Sequence, residues 1–210
     1  MNELFVRSLA GAAMMLVALA CAVLGGYFFA VLVAAAATVM FYEWMRLVRG
    51  WGLAWKVAGF FYALIPALAL LWVRDRADDG LALILWVFIV TWATDIGAYF
   101  VGRAFGRAKL APTISPNKTV AGLVGGMAGA TLLAGGWVLL AELGWALLIL
   151  APLFALAAQG GDLFESWMKR RAGVKDSGAW LPGHGGLLDR LDGLVPVAVL
   201  TAAAQLAGHA

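Results

Sequence analysis

The feature that most limits what this chain can fold into is a succession of apolar runs, each about as long as a bilayer is thick. Seven of them lie near residues 8 to 25, 27 to 46, 57 to 73, 81 to 101, 119 to 141, 145 to 161 and 193 to 208. A helix rises about 1.5 Å per residue, so about 20 apolar residues cross a hydrocarbon core of roughly 30 Å. Lipid offers no partner to an open strand edge, and no period-two alternation is visible, so helices are expected rather than barrel strands. With 64% hydrophobic and 13% charged residues, a water-soluble fold could not hide the apolar surface. The sequence therefore predicts an all-α integral membrane protein, a polytopic bundle of about seven transmembrane helices. It reads as a single domain over residues 1–210, with its chemistry concentrated in about 90–193.

The basic residues orient such a bundle. Arg7 precedes the first run; Arg46, Arg49 and Lys56 follow the second; Arg103, Arg107, Lys109 and Lys118 follow the fourth; Lys169, Arg170, Arg171, Lys175 and Arg190 follow the sixth. Only Arg74 and Arg76 fall on the other side. This asymmetry predicts that the N-terminus and the loops after runs two, four and six face the cytoplasm, placing the protein in the cytoplasmic (inner) membrane. Topology accounts for the net charge of +3, so no nucleic-acid partner is expected. The first run resembles a signal peptide in having one Arg, an apolar stretch and Cys21, but apolar character resumes at once, and a retained first span is expected. A lone cysteine excludes an intrachain disulfide and a cysteine metal site. Gly122 and Gly126, like Gly125 and Gly129, stand four apart in "GLVGGMAG", the spacing of close helix packing. Trp51, Trp55, Trp72 and Trp145 are expected as interfacial anchors.

Ten of the 27 charged residues gather in "GDLFESWMKRRAGVKDSGAWLPGHGGLLDRLDG", residues 161 to 193. Asp162, Glu165, Ser166, Lys169 and Arg170 recur at helical spacing and form one polar face that cannot point at lipid. The glycines and proline that follow predict an irregular loop covering the site from the water side. Asp189 and Asp192 then return three residues apart. Carboxylates near a low-dielectric boundary neutralise unless cations hold them. Hard oxygen donors with one nearby His favour Mg²⁺ or a similar divalent cation over zinc, and adjacent Lys and Arg suit phosphate. A metal-and-phosphate site at the cytoplasmic face points to phosphoryl or nucleotidyl transfer onto a lipid. The alternative, a solvated basic loop, leaves the acids inside apolar flanks unexplained.

The stretch "SWMKRRAGVKDSGAWLPGHGGLLDRLD" resembles the signature of the phosphatidate cytidylyltransferase (CDP-diacylglycerol synthase) family. The positions that carry the likeness are Ser166, Lys169, Arg170, Lys175, Asp176, Gly178, Pro182, His184, Gly185, Gly186, Asp189, Arg190 and Asp192. "TDIGAYFVGRAFGRAKLAPTISPNKTVAGLVGG" and Gly161-Asp162 look like further blocks of the same family, so the resemblance covers about residues 90 to 210. Ile96 departs from it, where a small or hydroxylated residue is expected.

The resemblance implies a transferase that moves a cytidylyl group from CTP to phosphatidate, giving CDP-diacylglycerol and pyrophosphate for phospholipid synthesis. CTP, phosphatidate and membrane lipid are its implied partners, and a homodimer is one assembly open to it. Asp162 and Asp189 are first-choice metal ligands, Asp192 is next, and Asp176 is a ligand or an orienting group. Lys175 joins Asp162, Asp189 and Asp176 in the catalytic set. Ser115, Asn117 and Lys118 are expected in the nucleotide site, where Pro116 would set a turn and Lys118, with the following helix N-terminus, would seat an anion. Ser166, Lys169, Arg170 and Arg190 complete the substrate-binding set, and Arg171, off the carboxylate face, is expected to serve topology or lipid headgroups. His184 suits tight loop geometry as well as proton transfer, and Asp95 suits substrate binding as well as a core ion pair. Two other functions fit the pattern less fully. A CTP-dependent polyprenol kinase would share the chemistry, whereas a small-solute transporter would place its charges near mid-bilayer.

Overall fold

The apolar runs form helices, joined by one short hairpin. The computed structural model describes residues 3–178, 180 and 185–208; Pro182 and His184 of the signature lie outside them. In chain order the elements are α1 (Glu3–Leu24), α2 (Gly26–Leu47), α3 (Leu53–Arg74), α4 (Gly80–Phe105), β1 (Lys109–Ala111), β2 (Ser115–Thr119), α5 (Val120–Leu140), α6 (Trp145–Arg171), α7 (Leu188–Leu191) and α8 (Leu194–Leu206). Among the described residues, α2 to α6 are long and apolar enough to cross a membrane. The last run gives only the 13 residues of α8, about 20 Å of helix and short of a full crossing by itself. Conversely, α6 does not stop at 161 but continues for 27 residues to Arg171. Its polar face is thus a rigid extension of a spanning helix.

Helix α4 forms the centre, with Leu83, Ile84, Trp86, Val87 and Val90 fully buried. It packs most extensively on α5, and the glycines explain how. A Cβ on Gly126 or Gly129 would stand 2.8 or 2.9 Å from the carbonyl oxygens of Thr94 and Ala93, and one on Gly125 would strike Val101. Only bare backbone permits that approach, so the expected packing seam is present.

The α2–α3 and α4–β1 connections, the β-hairpin, and residues 172–178 and 185–193 gather at one end of the bundle, as the contacts between Trp51 and Trp167 and between Lys118 and Asp162 show. Arg74, at the other end, donates to the carbonyl of Ala22 at 2.6 Å, and Arg76 pairs with Asp79 at 2.9 Å. The hairpin departs from the turn expected at Pro116. Pro116 lies within β2, and the turn is made by residues 112 to 114, whose Ile114 N–H donates to Ala111. Thr119 caps α5 by accepting from the Gly122 N–H at 3.0 Å.

The expected belt of tryptophans divides. Trp72 and Trp145 are exposed at 40% and 74%, as anchors should be. Trp51 and Trp55 instead turn inward and join Trp44, Tyr62, Phe164 and Trp167 in an aromatic cluster between α2, α3 and α6.

Candidate functional site

A cavity of about 770 Å³ opens among α1, α2, α3, α4 and α8. Much of its length is apolar, lined by residues such as Met14, Phe29, Met40, Ala63 and Phe88. Its other end is polar and carries Asp95, Asp162, Lys169, Asp189, Arg190 and Asp192. Three separate elements deliver these groups, because α4 supplies Asp95, the extended α6 supplies Asp162 and Lys169, and the chain around α7 supplies the rest. The i, i+3 spacing of Asp189 and Asp192 survives in this short helix and its cap.

Two charge clusters occupy the polar end. In the first, Lys118 Nζ lies 2.7 Å from Asp162 Oδ2 and donates to Gln159 Oε1 at 3.1 Å. Ser166 donates to Asp162 Oδ1 at 3.3 Å. Asp192 accepts from the Gly193 N–H at 2.7 Å. Burial first, and the Asp162 carboxylate next, push the Asp192 carboxyl well above its usual range. Two acids placed so that one disfavours ionisation of the other form a site that a cation would relieve.

In the second cluster, Lys169 Nζ bridges Glu165 Oε2 at 2.6 Å and Asp189 Oδ1 at 2.7 Å. Asp189 also accepts from the backbone N–H of Ser177 at 3.0 Å and of Gly186 at 2.8 Å. Burial alone would raise the Asp189 carboxyl, but the neighbouring Glu165 side chain, Lys169 and the Gly186 N–H outweigh it and hold the group at about 2. Both Asp189 oxygens are therefore taken by donors within the chain. It anchors the loop, whereas the sequence marks it as a first-choice metal ligand. Glu165, 1% exposed, lies against Lys169, while neither of its oxygens meets a donor at hydrogen-bonding angles among the described residues.

The remaining expected residues fall in different places. Period-two alternation along β2 puts Ser115 and Asn117 on the face opposite Lys118. Arg170 braces the hairpin, donating to the Ile114 carbonyl at 3.3 Å and to Val174 at 3.5 Å. Lys175 is exposed and lines neither this cavity nor a smaller one of about 390 Å³ at the same end of the bundle. Asp176 lines both. His184 lies outside the described residues. Arg171 does leave the carboxylate face, but it enters an aromatic cage, with its guanidinium carbon 4.7 Å from the Trp51 ring, 5.5 Å from Trp167 and 5.8 Å from Trp55.

One residue escaped the sequence reading. Glu43, on α2, is fully buried. It accepts from Ser177 Oγ at 3.1 Å, from the Leu187 N–H at 3.1 Å and from the Leu188 N–H at 2.7 Å. A Cβ on Gly178 or Gly186 would collide with its carboxylate. Glu43 thus ties the far end of α2 to both ends of the loop whose Ser177 and Gly186 hold Asp189. The signal was available, since a lone acid inside an apolar run is functional by default.

Fold and site describe a helical membrane protein that presents carboxylates and cations at one end of an apolar cavity. The chain belongs to the cytidylyltransferase family, whose model matches residues 51–206. It is 49% identical over 174 residues to a phosphatidate cytidylyltransferase of Brucella suis, a match covering 80% of this chain and 62% of that protein. Over 123 residues it is 50% identical to the phosphatidate cytidylyltransferase of Bacillus subtilis, covering 57% of this chain and 46% of that one. The enzyme of that name from Staphylococcus saprophyticus is 44% identical over 128 residues, or 60% and 49% of the two chains. The chain thus spans less than two thirds of the length of these relatives.

Proposed function

We propose that this protein transfers the cytidylyl group of CTP to phosphatidate, forming CDP-diacylglycerol and releasing pyrophosphate at the cytoplasmic face of the inner membrane. The observation that carries this reading is the continuity of the cavity, apolar along the helices and charged at one end. A lipid phosphate is amphipathic in the same sense. Its chains would lie between α1, α2 and α3, and its headgroup would meet Arg190 beside Asp162 and Asp192. In the reaction a phosphate oxygen of phosphatidate attacks the α-phosphorus of CTP, a new P–O–P bond forms, and the bond to the β-phosphate oxygen breaks as pyrophosphate leaves. No protein nucleophile is needed.

Asp162 and Asp192 are the pair we assign to a divalent cation, with Asp95 facing the same space. Among the described residues no three His, Cys, Asp or Glu converge into a closed cage. Mg²⁺ requires none, since it is commonly held by one or two carboxylates together with substrate phosphates. When bound, such an ion supplies charge to the triphosphate and the leaving pyrophosphate. Lys118, now paired with Asp162, is positioned to turn to phosphate when that carboxylate takes a cation. Glu43, Asp189 and Lys169 hold Ser177 and the backbone from Gly186 to Leu188 beside the polar end.

The test is an acceptor assay. Protein in detergent with Mg²⁺ and radiolabelled CTP should release pyrophosphate and label phosphatidate, and EDTA should abolish both. Phosphorylation of a polyprenol, with phosphatidate left unlabelled, would replace this reading with a CTP-dependent lipid kinase.

A further inference from the structure

A second cavity, of about 390 Å³, lies at the same end of the bundle between the α2–α3 turn and the end of α6. Its walls include Arg46, Arg49, Trp51, Arg171, Asp176 and Ser177. Three arginines and one aspartate thus line a single cavity. Arg46 closes α2, and Arg49 stands in a tight turn where the Trp51 N–H donates to the Val48 carbonyl at 2.8 Å and Gly50 adopts φ +87°. Among the described residues neither arginine forms an ion pair or a side-chain hydrogen bond.

Arg171 is held differently. Its guanidinium carbon lies over the rings of Trp51, Trp55 and Trp167, and a guanidinium held against aromatic faces still offers N–H donors to an oxyanion. A preorganised arginine beside two unpaired ones matches the bidentate geometry of phosphate oxygens. The volume falls within the range of small-molecule sites, roughly 300 to 1,000 Å³.

We propose that this cavity is a phosphate-binding site separate from the carboxylate site, taking the phosphate ester of an anionic lipid headgroup or of a nucleotide polyphosphate. Its wall connects to the first site. Asp176 lines both cavities, and the next residue, Ser177, donates to Glu43 through its hydroxyl and to Asp189 through its backbone N–H. An anion seated on Arg46, Arg49 and Arg171 therefore neutralises the charge beside the segment that holds Asp189 in place.

The test reads binding, not turnover, and so stands apart from the proposed reaction. Protein in phosphatidylcholine nanodiscs is titrated with pyrophosphate and with CTP, in EDTA so that cation-dependent binding at the carboxylates is absent. In parallel, nanodiscs with increasing phosphatidylglycerol are assayed for lipid retained by the protein. Arg46→Gln with Arg49→Gln should weaken one of these interactions about ten-fold or more, as loss of charge-assisted contacts does; the Arg46→Lys, Arg49→Lys pair should lose less. A loss confined to phosphatidylglycerol identifies a lipid headgroup, and a loss confined to pyrophosphate and CTP identifies a nucleotide. Unchanged binding of all three probes in a variant that melts like the parent would overturn the proposal. If the double variant does not fold, Arg49→Gln alone, in an exposed turn, carries the same comparison.

Discussion

Replacing Glu43 by Gln should disable the proposed cytidylyl transfer without touching any reacting group. The buried carboxylate receives three donors, one at Oε1 and two at Oε2. Gln retains a single acceptor oxygen. Placed at the Oε2 position, it keeps Ser177 and Leu188 but sets its NH₂ against the Leu187 N–H; the reverse placement sets it against Leu188. One charge-assisted hydrogen bond, of about 1.5 to 3 kcal/mol, is lost, and a buried donor is left unmatched at about 1 kcal/mol or more. The sum, about 2.5 to 4 kcal/mol, corresponds to a roughly 70- to 1,000-fold fall in the population that holds Ser177, Leu187 and Leu188 on α2. Cytidylyl transfer from CTP to phosphatidate in detergent should fall by that order, and protease cleavage between Gly173 and Gly186 should accelerate. Thr38→Ala, on the same helix but at an exposed hydroxyl that bonds only the Ala34 carbonyl, should leave both near the parent level. Normal turnover and normal loop protection in Glu43→Gln would refute the tether.

Asp162→Asn should abolish Mg²⁺-dependent turnover while the protein stays membrane-inserted; near-normal activity would remove Asp162 from the ligand pair. Arg171→Ala should cost about 0.5 to 1 kcal/mol by emptying the tryptophan cage, and Lys175→Ala less than about 0.5 kcal/mol, so thermal unfolding of the two variants should separate them. Equal melting temperatures would show that the stacking contributes nothing. Asp189 sits at about 2, below its ordinary 3.8, so the stability it confers is present above the ordinary value and is lost as pH falls through about 2. The melting difference between the parent and Asp189→Asn should accordingly hold above about pH 5 and shrink toward pH 2; a difference flat across that range would contradict the assignment. In intact cells a cysteine at position 78 should react with an impermeant outside reagent and one at 175 should not, and the opposite pattern would invert the orientation.

Much of this protein is written along its sequence, because lipid as solvent leaves few choices. A run of apolar residues must satisfy its own backbone, so α2 to α6 follow from length and composition alone. The glycine spacing in α5 likewise announced a close partner, since only small residues let backbones touch. Helical periodicity collected Asp162, Ser166 and Lys169 on one face, and the family signature marked the chain around Asp189 and Asp192.

What periodicity does not carry is the partner of each charge. Asp162 and Asp189 look equivalent in sequence, yet one faces Lys118 from a hairpin 44 residues away, and the other is saturated by Lys169, Ser177 and Gly186. Those pairings depend on how α6, α7 and the hairpin meet, and that is set by long-range packing. The same holds for Arg171, whose cage is assembled from α3, α6 and the turn before α3, and for Glu43, whose donors lie 134 to 145 residues away. Local sequence determines which groups a helix can present; only the tertiary fold, by bringing distant donors within 3 Å of a buried oxygen, decides which of them remain free for chemistry.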